Sequence, residues 1–140
     1  MGKVNSLLIR ELKDVFSRVG QIMLYVQNQD EAKSFWTEKL GFAVISEENS
    51  DQGFRWIEIA PHRDAETSII LHNKDFVAKM SPDLNLDTPS LMFFSENLDQ
   101  LHQDLSNKNI TVGEIINMPT GRVFNFPDNE ENYFAVMEKR

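Results

Sequence analysis

A chain of 140 residues with 41% hydrophobic side chains and ten Phe can bury one self-sufficient core, and its length suits a single domain. It has no cysteine, which excludes disulfides and thiolate chemistry and fits a cytoplasmic location; its net charge of -8 argues against a duplex nucleic-acid partner, because phosphates need a basic face. No apolar run approaches the ~20 residues of a membrane helix, and Arg10, Glu11, Lys13 and Asp14 break up any signal-peptide core.

Leu8, Leu12, Val15 and Phe16 recur at helical spacing. They predict an amphipathic helix over residues 5 to 17, capped by Asn5 or Ser6, within an N-terminal extension of residues 1 to 19. The β-branched and aromatic run from Gln21 to Val26 predicts a strand with Gln21, Met23 and Tyr25 on one face. Asp30 is placed to cap a helix whose apolar side carries Ala32, Phe35, Trp36 and Leu40, and Gly41 ends it. Three strands follow, Phe42 to Ser46, Phe54 to Ala60 and Thr67 to His72. Residues 73 to 89, with Pro82, Pro89 and many Asp and Asn, read as a loop between two halves. The order then repeats: a strand from Ser90 to Ser95, a helix from Asn97 to Asn107, and strands near Val112 to Ile116, Arg122 to Phe126 and Tyr133 to Glu138, with Thr120-Gly121-Arg122 as a hairpin turn. The expected organisation is one α+β domain over residues 20 to 140, built of two βαβββ modules, residues 20 to 75 and 90 to 138, joined by a linker over 76 to 89.

Several runs carry a resemblance. Gln21 to Phe42, with an acidic helix start, the aromatic pair Phe35-Trp36 and then Leu40-Gly41-Phe42, resembles the opening of a vicinal-oxygen-chelate module. Phe54 to Pro61, Glu66 to Leu71, Leu91 to Asp99 and Phe126 to Phe134 resemble later strands and turns, although the last lacks the family's glycine and carries extra acidic residues. The family includes glyoxalase I, the extradiol dioxygenases and the bleomycin-resistance proteins. The resemblance implies curved mixed sheets enclosing a cavity, and a homodimer that completes it.

It also implies a divalent metal held by His, Glu or Gln, left open to polarise substrate oxygens. Of the positions concerned only Gln21 has a suitable donor; Ile70, Ser90 and Ala135 stand at the other three. A neutral amide and a hydroxyl do not offset the desolvation of a dication, so the expectation is no cofactor. The alternative is a displaced site on Gln21, Glu58 and His72, holding one divalent ion. His62 and His102 read as loop and helix-surface residues, and no Gly-x-Ser-x-Gly elbow or phosphate loop is present.

Strand alternation gives an expected ligand-binding set of Gln21, Met23, Tyr25, Trp56, Glu58, Ile70, Ser90, Met92, Phe94, Tyr133 and Met137, with Arg122 able to reach an anionic group at the cavity mouth. Apolar, aromatic and thioether side chains with sparse polar points suit a small, partly aromatic ligand, and Glu58 with the acidic balance favours a cationic one. The resemblance implies two functional classes for such a face: metal-independent binding or sequestration, as in the resistance proteins, or a metal-dependent lyase, isomerase or dioxygenase of the same superfamily. No membrane partner is expected.

Overall fold

A computed structural model describes residues 13–139. The chain forms two four-stranded sheets, each made by one βαβββ unit. In the first, β1 (Gln21–Val26) is followed by α1 (Gln29–Ser34), β2 (Ala43–Asn49), β3 (Arg55–Ala60) and β4 (Ser68–Asn73), in the sheet order β1-β4-β3-β2. After α2 (Lys74–Met80) the second has β5 (Met92–Ser95), α3 (Leu98–Asn107), β6 (Ile116–Met118), β7 (Gly121–Pro127) and β8 (Tyr133–Glu138), in the order β5-β8-β7-β6. In each sheet the first strand lies parallel to the last and the other pairs are antiparallel. Among the described residues, no helix is long and apolar enough to cross a membrane.

The strands alternate as period-two elements should. Leu24, Val26, Ile57, Ile59, Ile69 and Leu71 are buried on one face of the first sheet. Phe124, Phe126, Phe134 and Val136 are buried on one face of the second, and the two sets join in a single core with Trp36, Leu98 and Leu105. Helix α1 sits where they meet. Asn28 caps it, its side chain accepting the Glu31 N–H at 3.0 Å. The cap is thus Asn28 rather than Asp30, which lies inside the first turn and pairs with Arg55 at 2.8 Å. The helix then widens into a π turn over Phe35–Lys39. The extra residue of a π turn rotates the helix face, and here consecutive residues Phe35 and Trp36 are 7% and 0% exposed. Trp36 meets Phe42 at 5.1 Å, Phe134 at 5.3 Å and Phe93 at 6.0 Å between ring centres, so a side chain of the first unit is seated on β5 and β8 of the second. Gly41 closes the turn at φ 78°, a left-handed conformation that suits glycine.

A second tie joins the units. The Glu130 carboxylate, from the turn between β7 and β8, accepts the Gln27 N–H at 2.9 Å and the Asn28 N–H at 3.0 Å. The acidic residues that replace the family's glycine turn therefore have a structural use. Glu131 takes φ 63° in that turn.

Two expectations are corrected, and a third lies mostly outside the described residues. The helix expected at residues 5 to 17 lies mostly outside the described residues, and its last part, 13 to 16, forms a turn and a bend. The stretch 73 to 89 is not all loop: Asn73 caps α2 by accepting the Phe76 N–H at 3.0 Å. The strand expected near Val112 to Ile116 begins only at Ile116, because Gly113 donates to Asn125 across an irregular approach and regular pairing is confined to Ile116, Asn117 and Met118.

Candidate functional site

The faces opposite the core carry most of the expected ligand set. On the first sheet the register places Met23, Ile70, Glu58 and Ser46 in one row, and Tyr25, His72 and Trp56 in the next. Gln21 and Ser68 are paired beyond them. On the second sheet Met92 pairs with Ala135 and Phe94 with Met137, with Tyr133 at the end of β8. Both faces point away from the common core. Phe94 and Tyr133 are 67% and 66% exposed, against 37% for Met23 and 0% for Ile70. Ser90 precedes β5 and is exposed.

Glu58 is the polar centre of the first face. Its carboxylate accepts the Ser68 hydroxyl at 2.6 Å, the Ser46 hydroxyl at 3.0 Å and the Gln21 amide at 3.4 Å. These donors, Ser68 foremost, hold its pKa below the ordinary glutamate value despite partial burial. Glu58 is thus an anion fixed by side chains from all the other strands of its sheet. It opens onto a basin of about 340 Å³ whose rim includes Arg18 and Arg63. Arg18 donates to the Glu66 carbonyl, and Arg63 leans 3.5 Å from the Val44 carbonyl.

His72 lies elsewhere. It is paired with Tyr25 and Trp56, while Gln21 pairs with Ser68, four residues back along β4. At about 3.3 Å per residue that separates the two ends by roughly 13 Å, so Gln21, Glu58 and His72 do not converge on one ion. His72 Nε2 is 3.2 Å from Met23 Sδ and its ring stacks on Tyr25. The family's metal positions fit no better: Ile70 and Ala135 offer no donor, Ser90 stands outside the strand, and the Gln21 amide is turned to Glu58 as a donor. Among the described residues no group of three or more His, Cys, Asp or Glu could hold a metal ion.

Arg122 must also be reassigned. Alternation along β7 puts it on the face of Phe124 and Phe126, away from Phe94 and Met137. There it is held by Asp99 at 2.8 and 3.1 Å and by Glu138 at 2.8 and 3.2 Å. These partners push its pKa further up and hold those of Asp99 and Glu138 down. It is a structural cation joining β7, β8 and α3. Of the other histidines, His62 is exposed and His102 lies 2.8 Å from the Gly113 carbonyl, its ring edge-on to Phe124.

Sequence reasoning missed Ser46 and Ser68 around Glu58, and Phe54 and Phe76 near His72. The serines were findable, since both share the parity of Glu58 once the strands are paired. Phe76 was not, because α2 was unrecognised.

The sequence profile of the Glyoxalase/Bleomycin resistance protein/Dioxygenase superfamily matches residues 18–136. The protein YetH of Bacillus subtilis (strain 168) is 28% identical over 125 residues, which span 89% of this chain and 100% of YetH. Among solved structures, TnmS3, an antibiotic binding protein from Streptomyces sp. CB03234, superposes with a TM-score of 0.75 at 24% identity, covering 90% of this chain and 98% of TnmS3. A member of the same superfamily from Sphaerobacter thermophilus DSM 20745 gives a TM-score of 0.74 at 21% identity, covering 89% and 98%. At these identities the structural likenesses speak to the fold.

Proposed function

Because the chain belongs to the Glyoxalase/Bleomycin resistance protein/Dioxygenase superfamily, we propose that it is a binding protein for a small, partly aromatic, cationic molecule, which it holds without a metal and without transforming it. The observation that carries this reading is Glu58, an anion fixed by Ser68, Ser46 and Gln21 on an open sheet face beside Met23, Tyr25 and Trp56. A cationic head pairs with the carboxylate while a planar body lies over the aromatic row; each aromatic or cation–π contact contributes about 0.5–2 kcal/mol, enough in combination for micromolar binding. Arg18 and Arg63 on the rim oppose an indiscriminate attraction of cations and favour a ligand whose charge reaches Glu58 itself. TnmS3, by its name, binds an antibiotic; a ligand of that broad kind suits this face.

The groove is completed by a second copy in this reading. Met92, Phe94, Ile116, Met118 and Tyr133 are 46%, 67%, 50%, 48% and 66% exposed in the single chain, a concentration of apolar surface that marks an interaction face. Facing the first sheet of another copy, it supplies an apolar wall opposite Glu58.

Tryptophan fluorescence titrations with cationic aromatic compounds and matched anionic ones test this, on the parent chain and on Trp56→Ala and Glu58→Gln. Saturable binding of the cationic series, weakened by both substitutions, is expected. Equal or tighter binding of the anionic series, or no loss in either variant, sinks the idea, and turnover of a bound compound moves the protein to the enzymes. Light scattering is expected to give twice the 16.2 kDa chain mass; a monomer at micromolar concentration contradicts the shared groove.

A further inference from the structure

At the end of the same face away from Ser68, two neighbouring residues each bury a polar atom with no hydrogen-bond partner among the described residues: Trp56 Nε1 and His72 Nδ1. They belong to residues directly opposed on β3 and β4, so their side chains leave the sheet side by side. Their chemistry is complementary. An indole N–H only donates. His72 Nε2 faces Met23 Sδ at 3.2 Å, and a thioether has no proton to give, so Nε2 carries the ring proton and Nδ1 is a bare acceptor. Burial holds the imidazole pKa below its ordinary value, which keeps the ring neutral near pH 7, as this tautomer requires.

Aromatic rings surround the pair. Tyr25 stacks on His72 at 5.6 Å, and Phe54 lies 5.9 Å from His72 and 6.4 Å from Trp56. Phe76 of α2 rests on Phe54 at 5.8 Å, and α2 itself buries none of its residues. We infer that Trp56 and His72 form a subsite for a phenolic hydroxyl, whose oxygen accepts from Trp56 Nε1–H and whose proton is donated to His72 Nδ1. A hydroxyl is the smallest group that accepts and donates from one atom, which suits an orphan donor and an orphan acceptor on directly opposed residues, and an aromatic body matches the rings around them. Phe54 stands beside both members of the pair, and Phe76 packs on Phe54 from α2. The subsite rests on the reading of this face as a binding face, but its chemistry is separate from that of Glu58.

The experiment titrates ¹⁵N-labelled protein with phenol, anisole and toluene, following the Trp56 indole N–H and the His72 ring nitrogens. Phenol is expected to move the indole proton downfield, to shift Nδ1 away from its bare-acceptor position, and to bind about tenfold more tightly than anisole, which accepts but cannot donate. His72→Phe and Trp56→Phe keep an aromatic ring, and each is expected to abolish the preference. Equal affinity for phenol and anisole overturns the inference, as does an indole signal that saturating phenol does not move, the behaviour of a site filled by ordered water. If cationic compounds fail to bind while phenol succeeds, the reading of Glu58 falls and the subsite stands; the reverse result removes the subsite alone.

Discussion

Replacing Glu130 with Ala removes a carboxylate that accepts two backbone N–H groups, Gln27 at 2.9 Å and Asn28 at 3.0 Å, from the other unit of the chain. Hydrogen bonds to a charged group contribute about 1.5–3 kcal/mol when well shielded. Glu130 is only partly buried, so solvent screening lowers the expected loss to about 1–2 kcal/mol. For a domain of this size that corresponds to roughly 3–8 °C in melting temperature. Circular-dichroism melts and urea titrations measure the loss. Amide hydrogen exchange at Gln27 and Asn28 localises it, because both N–H groups are freed to exchange. Glu130→Gln keeps a neutral acceptor and is expected to recover part of the stability. A Glu130→Ala protein within about 0.5 kcal/mol of the parent, the usual scatter of surface substitutions, with unchanged exchange at both amides, refutes the role given to this side chain.

Glu131 adopts φ 63°, so Glu131→Gly is expected to stabilise the chain by about 0.5–1 kcal/mol in the same melts; a loss of stability counts against the turn geometry. Ser68→Ala removes the strongest donor to Glu58 and should raise that carboxyl's pKa in a ¹³C titration. The sign of the linkage follows: a depressed folded pKa adds stability above the unfolded value, near 4.5, that is lost as pH falls through the folded value, so the acid limb of the stability curve moves to higher pH in the variant. A titration unchanged by the substitution removes Ser68 from the account of Glu58. Arg122→Met is expected to lower thermal stability while leaving the affinity for anionic and cationic aromatics alike, since the guanidinium is tied to Asp99 and Glu138; altered ligand preference returns it to the binding face.

The parts legible in the sequence were those set by periodicity. Alternation in β1, β3 and β4 placed Met23, Tyr25, Trp56 and Glu58 on one face, because a strand leaves no choice once its core set, such as Leu24 and Val26, is known. The same rule was open for Arg122. Phe124 and Phe126 are buried, and Arg122 shares their parity along β7 and hence their face. The hairpin suggested a cavity mouth, and the parity argument was the stronger of the two. Helix α2 was hidden by its shortness: Phe76, Val77 and Met80 fall on one face, but seven residues with none fully buried, close to Pro82, read as part of a polar loop. The ties across the units were illegible for a different reason. Glu130 reaches a backbone far away in sequence, and no local pattern encodes such a contact.

The parallel pairing of β1 with β4 bears on how the chain is made. Gln21 has its partner in Ser68, and Met23 in Ile70, so the first strand emerges from the ribosome well before the strand that completes its hydrogen bonds. Until then neither of its edges is paired, and the hairpin of β2 and β3 can form locally ahead of it. The second unit repeats the delay, with Met92 waiting for Ala135. Neither half can complete its sheet until its last strand has emerged, and the interval before that is when an unpaired apolar strand is most open to capture by a neighbouring chain.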